Sequence, residues 1–217
     1  MSDLLREVDE AVRADNMKRL WDEHKVAIIS GIAALILGTT AFSVWKNIEL
    51  KRNRENTAQV LTALEAAKPA AALKETAAKL SGNSQVIAYL NAGSLELKAG
   101  NKNQALEAFA AAENSSKADK TFRDLAVLQK TALLLDLKPA TGSAELLKPL
   151  DGVSKDKSSP FQAEAVFLSA FIKGEKDKNY SDAVKELETL EARADIPGSL
   201  KQRAEALQSV YELKQVK

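Results

Sequence analysis

Residues able to do covalent chemistry are scarce in this chain of 217 residues. His24 is its single histidine, and it has no cysteine. Nucleophile–base pairs built on Cys and His, and zinc sites built on clusters of them, therefore have no raw material. Carboxylates remain, and as a close pair they could act as general acid and base. Glu107 and the Glu186-Leu187-Glu188 run stand at helical spacing among lysines, which is the pattern of a solvated helix face. Lys155-Asp156-Lys157 and Lys176-Asp177-Lys178 read as loops of mixed charge. The glycines are single and spaced, so no phosphate-cradling loop is present. The expectation is a protein that is not an enzyme, with no catalytic residue, no cofactor and no metal site.

The elements matter more than any reactive group. Val26 to Trp45 is a run of twenty residues without charge, closed by Lys25 and Lys46. Twenty helical residues span roughly 30 Å, the thickness of a bilayer's hydrocarbon core. Trp21 and Trp45 stand near its ends, where indole rings favour the headgroup region. The leader before it carries seven acids against five bases, and the run is longer than the apolar part of a signal peptide. The segment reads as an uncleaved transmembrane signal anchor over 26–45, after a short tail over 1–25.

Charge does not orient this span. Arg13, Lys18, Arg19 and Lys25 precede it, and Lys46, Lys51, Arg52 and Arg54 follow it, so the positive-inside rule gives no direction. One face is lined by Ala27, Gly31, Ala34, Gly38 and Ala41 at alternating steps of four and three. Small residues in such a stripe let a second helix backbone come close, which marks this face as the candidate contact surface within the membrane.

Beyond the span, 26 bases stand against 23 acids, a surplus near +3 that is too small and dispersed for a nucleic-acid footprint. Alanine and leucine are abundant and strand-like alternation is missing, so the composition favours an all-α fold. Apolar positions recur at three and four residues. They predict helices over Ile48–Ala67, Pro69–Leu80, Ser84–Ala99, Lys102–Ser115, Lys120–Leu137, Thr141–Leu150, Pro160–Lys173, Tyr180–Ala194 and Gly198–Val216. Gly82, Gly100, Gly142, Gly152, Gly174 and Gly198 are assigned to the breaks, and Pro69, Pro139, Pro160 and Pro197 to helix starts.

The helices also pair in sequence. Ala105, Ala144 and Ala183 follow at intervals of 39 residues. Gly93, Gly100, Ala105, Phe109 and Ala112 match a tetratricopeptide repeat, and Asn179-Tyr180-Ser181-Asp182-Ala183 with Leu187 repeats its second half. The middle unit fits worse, because Lys148 takes the place of a large apolar residue. Helix-pair repeats stack because no single hairpin buries its own apolar face. The aromatics Tyr89, Phe109, Phe122, Phe161, Phe167, Phe171, Tyr180 and Tyr211 are assigned mostly to the core, with one or two on a concave groove. The reading is a stalk and first repeat helix over 46–67, then a helical-repeat solenoid over 68–217 closed by a capping helix.

A charged tail, Lys18-Arg19-Leu20-Trp21 before the span, one small-residue-rich membrane helix, a helical stalk and about four degenerate hairpins together resemble one family. It is the ancillary SecYEG translocon subunit family, tetratricopeptide-like inner-membrane proteins of bacteria. The resemblance implies a cytoplasmic N-terminus and a periplasmic repeat domain. It also implies protein partners, namely the export channel (translocon) and a membrane-anchored periplasmic chaperone. On this reading the chain is a membrane-anchored adaptor that binds periplasmic folding factors or emerging chains during protein export. The alternative is a structural envelope scaffold that self-associates through its transmembrane helix.

Overall fold

A computed structural model describes residues 46–137 and 140–215. Among the described residues the chain forms nine helices and no strand. The chain divides into two compact units, 1–54 and 55–217. In the first, the described residues 46–54 are helical throughout. The predicted membrane span at 26–45 lies outside the described residues, and no helix within them is long and apolar enough to cross a membrane.

The helices are α1 (46–64), α2 (Pro69–Lys79), α3 (Asn83–Lys98), α4 (Lys102–Glu113), α5 (Lys120–Leu137), α6 (Ser143–Ser154), α7 (Gln162–Lys176), α8 (Tyr180–Glu191) and α9 (Gly198–Gln215). Pro69 opens α2 at its first turn, where a missing N–H costs least. Gly100 closes α3 at φ +82°. Its N–H meets the Leu97 carbonyl at 3.0 Å, while Asn101 N–H meets Glu96 at 2.8 Å, the two bonds of a Schellman cap. Asn179 caps α8, its side chain accepting the Asp182 backbone N–H at 3.3 Å.

Each helix from α2 onward packs on its sequence neighbour, and α3, α5, α7 and α9 also form a row in which each touches the next. The helices between them, α4, α6 and α8, have no comparable contacts with one another. The core of the second unit is therefore a series of local clusters. Val60, Ala63, Leu73, Ala88 and Ala92 fill one end, Leu146, Leu150 and Ile172 the middle, and Leu187, Leu190, Leu200 and Tyr211 the other end. Each such large side chain contributes about 1.5–3 kcal/mol through burial.

Two expected breaks are helical. Gly152 lies inside α6, and Gly174 lies inside α7. The α6 helix also runs through Pro149, which removes one backbone hydrogen bond and ordinarily costs about 3 kcal/mol. Burial of Leu146, Leu150 and Val153 offsets that cost. The repeat register needs correction as well. The fourth, eighth and eleventh residues after the caps of α4, α6 and α8 are Ala105, Phe109, Ala112; Leu146, Leu150, Val153; and Ala183, Leu187, Leu190. All nine are buried. Ala144 is exposed and Leu146 takes its role, so the interval is 41 residues and then 37 rather than 39. Lys148 is exposed because it never held the apolar position, which is Leu150.

Candidate interaction groove

Among the described residues, a concavity lined mainly by apolar side chains lies where α7 is flanked by α5 and α9. The α5 wall presents Leu125, Leu128, Gln129 and Ala132, a stripe at steps of three, one and three along one helix face. The α7 floor adds Phe161, Glu164, Phe167 and Leu168, and Leu200 and Arg203 come from α9. The space is about 320 Å³, at the small end of ligand sites. Gln129, Ala132 and Arg203 are exposed at its rim, while Leu125, Leu128, Phe167 and Leu168 are half-buried.

Arg203 is the cation of this site. Its guanidinium carbon lies 4.5 Å from the centre of the Phe167 ring, within the range of a cation–π stack. Phe161 and Phe167 are thus the aromatics that line the groove, while Phe109 and Tyr211 are fully buried elsewhere. Arg193 stands nearby on the loop after α8, bonded to Gln162 and paired with Asp195 at 2.7 Å. That ion pair holds the Asp195 carboxyl down to about 2.

A second, wider depression of about 650 Å³ lies over α6, α7 and α8. Three lysines and two acids line it, and its charges are already matched: Lys173 with Glu186, Lys155 with Asp151, and Lys185 with Asp182. Such internal neutralisation leaves little net field for a ligand to complement. Glu186 is half-buried rather than on a freely solvated face, and one of its carboxylate oxygens is buried without a hydrogen-bond partner. Glu107 and Glu188 are exposed. No group of three metal-ligating side chains gathers among the described residues.

The stripe Ala27, Gly31, Ala34, Gly38 and Ala41 lies outside the described residues, as does His24. Sequence reasoning missed Arg203, Gln129, Leu125 and Leu128. The helical stripe from Leu125 to Ala132 was visible in the sequence as a second apolar face on α5. The pairing of Phe167 with Arg203 was not, because it depends on how α9 docks against α7. No family model, no curated protein and no solved structure matches this chain.

Proposed function

We propose that the chain is a membrane-anchored, tetratricopeptide-like adaptor, resembling the ancillary subunit of the SecYEG translocon, which holds periplasmic folding factors or emerging chains during protein export. The observation that carries this reading is the apolar groove flanked by α5 and α9 and floored by α7, in a row of helices with repeating buried positions. Stacked helix pairs offer such surfaces for extended segments of other proteins. The uncharged run over 26–45 supports a tether, and a tether raises the effective concentration of the groove near membrane partners. In this reading the N-terminus is cytoplasmic, the helical domain is periplasmic, and the protein resides in the inner membrane.

Purification in mild detergent followed by identification of bound proteins tests the proposal. The translocon or a periplasmic folding factor is the expected companion, and recovery of neither counts against it. A reporter active only outside the cytoplasm, fused after Lys217, should give signal; a stable but silent fusion removes the periplasmic assignment.

The small-residue stripe favours self-association as a second role. Gly31→Leu with Gly38→Leu separates the two. Loss of self-association with partners retained assigns the stripe to oligomerisation, whereas loss of partners makes it part of the recognition surface.

A further inference from the structure

The walls of the α5–α7–α9 groove are mostly apolar, yet its rim carries a cation stacked on an aromatic ring. The Arg203 guanidinium is stacked 4.5 Å above the Phe167 ring centre. Stacking occupies the face of the guanidinium and leaves its in-plane N–H donors available. Among the described residues it forms no ion pair. Glu164, the one acid lining the groove, is not paired with it and stands in the field of Arg193. The groove therefore offers a preorganised, planar, unmatched donor beside apolar surface.

We propose that this groove binds an extended apolar peptide segment bearing a single carboxylate, with the Arg203 guanidinium donating to the carboxylate and Leu125, Leu128 and Leu168 receiving the flanking apolar side chains. Charge complementarity selects the acid: a guanidinium matches a carboxylate with two parallel N–H···O bonds. The volume of about 320 Å³ fits two or three side chains and excludes a whole helix. Glu164 sets the limit of one carboxylate, because a second acid on the segment would meet like charge. Gln129, exposed beside the groove, supplies an amide for the segment's backbone. This inference rests on the adaptor reading and narrows the class of partner that reading requires.

The test uses the full chain in lipid nanodiscs and two fluorescein-labelled peptides, Leu-Leu-Asp-Leu-Phe amide and its twin with Asn for Asp. Fluorescence anisotropy should give roughly tenfold tighter binding of the Asp peptide. Arg203→Gln should bring that affinity down to the level of the Asn twin, and Ala132→Trp, which fills the groove, should remove both. Arg203→Glu should invert the preference when the Asp is replaced by Lys. Equal binding of the two peptides by the parent protein, no binding of either, or a preference that survives Arg203→Gln overturns the assignment. Partner recovery from the same preparations distinguishes the two readings. Partners recovered without an Asp preference sink only the carboxylate assignment. An Asp preference without any export partner sinks the adaptor reading.

Discussion

A Cβ built on Gly174 would stand 2.3 Å from Tyr211 Cζ and 2.6 Å from its hydroxyl oxygen. The glycine thus lets α9 lay an aromatic ring directly on the backbone of α7. Tyr211 is fully buried. Its hydroxyl donates to the Phe171 carbonyl at 3.3 Å, and its ring lies 5.4 Å from that of Tyr180. Lys214 covers both rings and pairs with Glu175 at 3.0 Å. Gly93 has the same relation to Phe109, with 2.5 Å to the ring. Both glycines are helical residues retained for closeness of approach, not for a turn.

Gly174→Ala should therefore destabilise the domain. Alanine gains about 1 kcal/mol of helix propensity, and overpacking against an immobile ring costs about 1–3 kcal/mol. A net loss of up to about 2 kcal/mol lowers Tm by up to roughly 8 °C. Tyr211→Leu in the same chain clears the contact, so thermal melts of the double variant should show a smaller loss than the two single losses added. Strict additivity would mean that Gly174 and Tyr211 do not act on each other.

Lys120 is the bolt at the junction of α5, α6 and the loop before α7. Its ammonium reaches Asp124 at 2.8 Å, Asp156 at 2.9 Å and the Gly152 carbonyl at 3.3 Å. Asp124 is only 5% exposed and also accepts from the Ser159 hydroxyl at 2.7 Å. Burial lowers the Lys120 affinity for protons, and its hydrogen bonds to Asp124 and Asp156 more than reverse that effect. Lys120→Met leaves Asp124 buried without its cation and should lower Tm, whereas Lys120→Arg should recover much of the loss. Amide exchange should quicken first in residues 155–161 and the adjoining end of α6. Uniform quickening along the chain would argue against a local bolt.

Most of this fold was legible from apolar periodicity, and its failures have a common cause. Pro69, Gly100 and Asn179 act locally through backbone geometry, so the ends they mark were readable. Gly152 and Gly174 carry no local signal that separates a break from a packing site. Only the arrival of Tyr211 from 37 residues away explains Gly174. Equal spacing placed Lys148 on the apolar face of α6, although the cap at Gly142 sets the register and points Leu150 inward. Leu150→Ala should cost about 2–5 kcal/mol, while Lys148→Leu should change stability by less than about 0.5 kcal/mol. Urea melts of the pair decide between the two registers, and the opposite ranking would restore the 39-residue spacing. The groove was half legible: the α5 stripe could be read, and the Arg203 stack could not.

Acid should weaken the domain through its capped and paired carboxylates. Glu96 is held below the usual range by hydrogen bonds from Asn101 and then Lys74, and Glu175 by Lys214. Asp156 is held down by Ser158 and Lys120, and Asp182 by Asn179. A folded pKa below the unfolded value supplies stability above about pH 4, lost as pH falls through the folded value. Glu191 acts in the opposite sense. Burial and then Glu205, Glu188 and Glu212 raise its pKa, and one of its oxygens is buried without a partner. Its ionised form therefore opposes folding at neutral pH, and protonation removes that opposition. Glu191→Gln should raise Tm at pH 7, and the gain should shrink towards zero below about pH 4. A gain that stays constant with pH would assign the effect to packing instead of charge.

Lys178 is the non-glycine residue found at positive φ among the described residues, at +54°. It precedes Asn179 at the α7–α8 turn as Gly100 precedes Asn101 at the α3–α4 turn. The left-handed conformation costs an L-residue roughly 1–2 kcal/mol. Lys178 recovers part of that by donating from its ammonium to the Glu175 carbonyl at 2.8 Å, an exposed bond worth a fraction of a kcal/mol. Glycine removes the strain but loosens the unfolded chain by up to about 1 kcal/mol. Lys178→Gly should therefore be neutral to stabilising by about 0.5 kcal/mol, whereas Gly100→Ala, which imports the same strain without a compensating bond, should destabilise by about 1 kcal/mol or more. The contrast in sign, read from chemical denaturation of both variants, is the diagnostic. Comparable losses at the two sites would show that the ammonium bond, not the backbone conformation, governs the α7–α8 turn.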